Sequence, residues 1–198
     1  HATLYVYDNL NRVLAETNAL TYVTLYTYDG NNLVEMETGR DGTNRGRIMR
    51  YRYDSHNRQT HTVRVDAQGN EHIWQTTTYD GDGRAVAVAD ALNQATSYHY
   101  NTLGQRIKIS QPFSATETSD TLFVYDETGD LHRKIDPLGT ITQHEHDIMD
   151  REWLITEALG TEVQRTRERG YDLNGNLTSI TYSDGTNAFT TYYDYDLL

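Results

Sequence analysis

The chain has 198 residues, which bounds it to one or two domains. Its formal charge of −12 argues against a nucleic-acid partner, because phosphates are met mostly by Lys and Arg; the lack of Cys excludes disulfides, thiolate metal sites and Cys nucleophiles. Hydrophobic residues make up 36 %, and Tyr supplies 16 residues against three Phe and two Trp, a composition suited to half-wet sheet surfaces rather than an aliphatic core.

Taken in order, the chain is one motif repeated. Tyr5-Val6-Tyr7-Asp8 returns as Tyr26-Thr27-Tyr28-Asp29 and Tyr51-Arg52-Tyr53-Asp54, and then as four-residue copies ending at Asp80, Asn101, Asp126, Asp147, Asp172 and Asp196. Successive copies are 21, 25, 26, 21, 25, 21, 25 and 24 residues apart. Self-similarity at such a period is the mark of a repeat architecture. Within a copy, the residues one and three before the Asp share a strand face, so Tyr26 and Tyr28, Tyr51 and Tyr53, and Tyr98 and Tyr100 form a ladder of rings.

Three residues after the acidic position stands Asn11, Asn57, Gly83, Gly104, Gly129, Asp150 or Gly175. These types tolerate a positive φ, and an Asp that opens a turn can bond the backbone two residues on. Asp8, Asp54, Asp80, Asp126, Asp147 and Asp172 therefore read as the first residues of tight hairpin turns. Asp29, followed by Gly30-Asn31-Asn32, predicts a turn one residue shorter. A second turn follows about ten residues later in most copies, at Asp66–Gly69, Asp90–Asn93, Asp136–Gly139, Glu157–Gly160 and Ser183–Gly185. One repeat is then strand, turn, strand, turn, and the chain becomes an antiparallel meander of some sixteen strands, each of about 6–8 residues.

Three stretches depart from the pattern. Gly39 to Arg47 predicts an extended turn, and the five arginines between Arg40 and Arg52 predict a solvated face. Pro112 to Thr121 is polar without an apolar period and predicts a longer loop. Ile148 to Leu159 has the propensity of an amphipathic helix, but the repeat places a turn at Asp150 and a strand after it, and the ninefold pattern outweighs one local preference.

The run Tyr51-Arg-Tyr-Asp-Ser-His-Asn-Arg58, the run Phe123-Val-Tyr-Asp-Glu-Thr-Gly-Asp-Leu131, the turn Asp136-Pro-Leu-Gly139 and the run Tyr171-Asp-Leu-Asn-Gly-Asn-Leu177 resemble the YD repeats of RHS proteins. The resemblance extends over essentially the whole chain. It implies an all-β fold in which hairpins curl into a spiral or incomplete barrel. It also implies a place in a shell that encloses a C-terminal toxic domain, as in bacterial polymorphic toxins and Tc-type toxins, or that displays an adhesive surface, as in teneurins. Asp136-Pro137 sits in an ordinary repeat turn, so the self-cleavage found after the repeats in bacterial relatives is carried over to no residue here.

Residues 1–198 are thus expected to be a single array of eight to nine repeats, part of a larger exported protein that is secreted or on the cell surface. Its expected partners are the rest of that shell and its cargo. No apolar run approaches the length of a membrane span, and the first residue, His1, points to a fragment. His144 and His146 share a strand face and could offer two metal ligands, but they fill the ladder positions that Tyr fills elsewhere and read as replacements for it. Asp80-Gly-Asp82-Gly83 and the run from Asp172 to Asn176 look like parts of calcium loops, and the repeat explains both as turns. Catalytic residues, metal ligands and cofactors are therefore assigned to none of the positions. The alternative to a shell segment is a module that binds glycans or a cell-surface partner through Tyr26, Tyr28, Tyr51, Tyr53, Tyr98 and Tyr100 or through the Gly39–Arg47 loop.

Overall fold

A computed structural model describes residues 2–42, 44–114 and 117–196. They form one open antiparallel sheet of 17 strands, hydrogen-bonded in chain order. The chain divides into two compact units, His1–Ser97 and Tyr98–Leu198, and the division falls within β9.

The first unit contains β1 (Leu4–Tyr7), β2 (Val13–Thr17), β3 (Val23–Asp29), β4 (Asn32–Arg40), β5 (Arg47–Tyr53), β6 (Gln59–Val65), β7 (Glu71–Tyr79) and β8 (Ala85–Asp90), and it takes the start of β9 (Ala95–Tyr100). The second continues with β10 (Arg106–Pro112), β11 (Thr118–Tyr125), β12 (Leu131–Ile135), β13 (Ile141–His146) and β14 (Glu152–Glu157), and ends with β15 (Arg165–Tyr171), β16 (Leu177–Ser183) and β17 (Ala188–Tyr192). Alternating β-branched and aromatic side chains suit these strands because each can pack on a pleated, half-wet surface.

The turns behave as their residue types require. Asn11 N–H donates to the Asp8 carbonyl at 3.0 Å, Asp8 N–H donates to the Arg12 carbonyl at 2.9 Å, and Asn11 stands at φ 61°. The same geometry recurs at the turns opened by Asp54, Asp80, Asn101, Asp126, Asp147 and Asp172. A left-handed third residue leaves an unmatched residue in the ladder. Accordingly, the register shifts just before the Asp, between Val6 and Tyr7, Arg52 and Tyr53, Thr78 and Tyr79, Val124 and Tyr125, Glu145 and His146, and Gly170 and Tyr171. At Asp29 the turn is shorter: Asp29 pairs with Asn32 across Gly30 and Asn31, and Gly30 takes φ 54°.

Little of either unit is dry. Glu37, Ile48 and Val65 are opposite one another across β4, β5 and β6, and all three are buried. Val63 is fully buried, and among the described residues of the second unit Ile155 is the buried apolar side chain. The Glu37 carboxylate is not orphaned, because Gly46 N–H donates to it at 2.8 Å and Arg40 at 3.3 Å.

Three local expectations are corrected. The loop placed over Pro112–Thr121 is shorter, since β10 reaches Pro112 and β11 starts at Thr118; Ala115 and Thr116 lie outside the described residues. Polar residues there still make strand, because Lys108 on β10 binds Asp120 on β11 at 2.6 Å and a half-wet sheet tolerates such a pair. The extended turn at Gly39–Arg47 loses its ends to β4 and β5, Thr43 lies outside the described residues, and Arg40 and Gly46 are drawn onto Glu37. The turn at Glu157–Gly160 is instead a longer connection running to Arg165, with Ala158 at φ 51°. A Glu carboxylate carries one methylene more than Asp and does not close the compact turn that Asp makes. Over Ile148–Leu159, β14 and a left-handed Asp150 (φ 59°) stand where helical propensity alone favoured a helix.

Candidate functional site

The positions singled out by the repeat come together along one edge of each unit. The side chain that opens each turn folds back on its own loop. Asp54 Oδ1 accepts from the N–H of His56 at 2.9 Å and of Arg58 at 3.0 Å. Asp8, Asp80, Asp126, Asp147 and Asp172 make equivalent pairs of bonds, and Asn101 does so through its amide oxygen. Gly83, Gly104, Gly129 and Gly175 occupy the left-handed positions of these loops.

A second layer involves the residue four after the Asp, which sequence reasoning had passed over. Arg12, Arg58, Arg84 and Arg151 each grip the turn carboxylate through Nε at 2.7–2.8 Å. The guanidinium then lies over a Tyr of the next repeat: Arg12 over Tyr28 at 4.4 Å, Arg58 over Tyr79 at 4.7 Å and Arg151 over Tyr171 at 4.4 Å. Arg58 also donates to the Asp80 carbonyl at 3.1 Å, and Gln105, in the equivalent place, donates to the Gly129 carbonyl at 2.9 Å. At these steps one turn is thereby tied to the turn after it.

The Tyr before the Asp completes the tie. Its hydroxyl reaches back to a carbonyl at the start of the strand after the preceding turn. Tyr28 donates to Val13, Tyr53 to Leu33, Tyr79 to Gln59, Tyr125 to Arg106, Tyr171 to Glu152 and Tyr195 to Leu177, all at 2.8–3.0 Å. At the steps that carry Arg under Tyr, the edge is a chain in which Asp holds Arg, Arg covers the Tyr of the next repeat and that Tyr reaches back to the strand before it.

These contacts tune the charges. Asp8 and Asp54 are held below the ordinary carboxylate range, first by the backbone N–H groups of Arg12 and Arg58 and also by their guanidinium groups. Asp147 is lowered chiefly by the Arg151 side chain. Burial pushes Tyr26, Tyr51 and Tyr53 up.

The six tyrosines named as a binding face are half-buried. Tyr26 Oη lies 3.4 Å from Glu16, Tyr28 and Tyr53 spend their hydroxyls on the sheet, and Arg106 covers Tyr98 at 4.8 Å and Tyr100 at 5.9 Å. The more exposed rings are elsewhere, among them Tyr5, Tyr7 and Tyr192.

The histidine pair separates. His144 Nδ1 meets Glu152 at 2.8 Å. The same carboxylate meets Arg169 and, at 3.6 Å, Arg167. Burial would raise Glu152, but His144 and Arg169 outweigh it and hold it low. His146 instead faces Asp126 and Asp130, and the ligand atoms of the three lie within 4.8 Å of one another.

Comparison with known proteins follows the same lines. Residues 79–116 match the family model described as RHS Repeat. A probable deoxyribonuclease, RhsA, of Dickeya dadantii (strain 3937) is 30 % identical over 135 residues, covering 65 % of this chain and 9 % of that protein. Crystal structures of TcdB2-TccC3, one with Cdc42 and one without the hypervariable C-terminal region, superpose on 96 % of this chain and 12 % of theirs, with a TM-score of 0.76 and 18 % identity. That second likeness is one of fold. The chain spans about a tenth of the length of the relatives it matches.

Proposed function

Because the chain belongs to the RHS/YD-repeat family, we propose that it is a wall segment of a β-sheet shell that encloses or displays a C-terminal toxin or effector domain. Its partners are the rest of the shell and the cargo, and the setting is an exported protein, secreted or at the cell surface. It works by exclusion, keeping solvent and proteases from what lies behind the sheet, and it makes and breaks no bond itself. The observation that carries this reading is the Asp-Arg-Tyr chain along the turn edge: each repeat supplies half of a contact that only another repeat completes. Such a unit is built to be continued.

We rank a glycan-binding module below it, because the hydroxyls of Tyr28 and Tyr53 are engaged within the sheet. The test is the intact mass of the native polypeptide, with peptide mapping past residue 198 and limited proteolysis. A chain many times longer, with a downstream domain that resists protease until the repeats are unfolded, is the expected result. A native chain ending near residue 198 would overturn the proposal. Retardation by a soluble glycan in affinity electrophoresis would then favour the module.

A further inference from the structure

One step of the turn edge breaks the rule at two positions at once. After Asp126 the fourth residue is the acid Asp130, where four other steps carry Arg12, Arg58, Arg84 or Arg151 and two carry the amides Gln105 and Asn176. The ring of the next repeat is His146 where those steps carry Tyr. The grip of Arg on Asp under Tyr becomes two carboxylates and an imidazole, with ligand atoms within 4.8 Å of one another.

The replaced charge is not made good by a neighbour. Among the described residues no Lys or Arg forms an ion pair with Asp126 or Asp130, and neither ring nitrogen of His146 is in a hydrogen bond. The carboxylates share the Thr128 hydroxyl, at 2.6 Å from Asp126 and 3.3 Å from Asp130, which does not cancel their repulsion. Acidic neighbours alone are not the point. Asp80 and Asp82 are also close, and there Arg84 binds both, at 2.7 and 2.6 Å.

We propose that Asp126, Asp130 and His146 bind a divalent transition-metal ion of the Zn2+ class, which does at this step what Arg does at the others and clamps the turn before β12 to the end of β13. Two carboxylates with one imidazole suit such an ion better than Ca2+ or Mg2+, which favour oxygen throughout. Ligands held at about 2.0–2.1 Å from Zn2+ would stand roughly 3.3 Å apart, so the side chains close inward on binding, and water completes the coordination. The site's partial exposure leaves them room to do so. His144, two residues away, is held by Glu152 and takes no part.

The proposal does not depend on what the shell encloses. Its test is calorimetric titration of the 198-residue chain with ZnCl2, with thermal melts in Zn2+ and in EDTA. The unaltered chain is expected to bind one Zn2+ with a raised melting midpoint that EDTA reverses. Asp126→Asn, which keeps the turn as Asn101 does, should weaken that site at least tenfold. The double variant Asp130→Arg with His146→Tyr restores the common step; it should lose the site and keep its melting midpoint without metal. No binding by the unaltered chain up to about 1 mM Zn2+, or an isotherm that survives the double variant unchanged, would overturn the assignment.

Discussion

Strands β1 (LYVY) and β6 (QTHTVRV) lie in the same unit, and β1 is the more apolar of the two, yet β1 is wet and β6 holds the driest of the described residues. All four residues of β1 are exposed, with Val6 at 57 %. In β6, Val63 is at 0 % and Val65 at 7 %. The difference is one of neighbours. β6 is paired on both sides, with Val63 opposite Arg50 on β5 and Ile73 on β7, whereas among the described residues β1 pairs with β2 alone. In a repeat array the sequence of one unit makes its turns and strands, and the adjacent units make its core.

The sharpest way to test this is to remove the same atoms from both strands. Val63→Ala should cost about 2 kcal/mol, from lost burial and the cavity it leaves. Val6→Ala should cost within about 0.5 kcal/mol. Denaturant midpoints of the two variants measure it. Equal losses would mean that β1 is packed in solution against something this sheet does not supply.

The turn electrostatics should show no such contrast, because they are internal to a repeat. Asp8 beside β1 and Asp54 beside β6 are both held low by the same two kinds of donor. A carboxylate lowered in the folded state adds stability above its unfolded value near pH 4, and that stability is lost as pH falls through the lower folded value. Asp8→Asn and Asp54→Asn keep the turn, as Asn101 shows, but give up the charge. Each should flatten the fall in thermal midpoint below about pH 4, and by similar amounts. A flattening for Asp54→Asn alone would show that the turns too depend on their neighbours.

The same division explains what could be read from sequence. The Asp, the left-handed residue three later and the strands around them are legible because their bonds close within five residues. Asp150 shows the strength of that local grammar: its φ of 59° ends the helical alternative for Ile148–Leu159. Arg58 was not legible as a clamp, because its ring partner Tyr79 is 21 positions on and meets it only through the sheet. The separation of His144 from His146 has the same origin. Their spacing puts them on one strand, but the bulge between Glu145 and His146 and the facing residues of other strands send one to Glu152 and the other to Asp126 and Asp130. Glu157 failed for a local reason, since the repeat position was kept and the side-chain length was not.

The finest test of the comparison is a single oxygen. Tyr53 and Tyr7 hold the same place in the motif, one residue before the Asp. Tyr53 has a strand before it and donates to the Leu33 carbonyl at 2.8 Å. Among the described residues no strand pairs on that side of Tyr7, and its hydroxyl makes no hydrogen bond. Tyr53→Phe should therefore cost about 1 kcal/mol, the net worth of one hydrogen bond whose acceptor is left behind, and Tyr7→Phe should cost nothing measurable. Both keep the ring, so packing is preserved and only the hydroxyl bond is probed. If the two variants unfold at the same denaturant concentration, the hydroxyl bonds along the turn edge add nothing beyond what water offers, and the tie between repeats rests on the Arg contacts and the strand ladders alone.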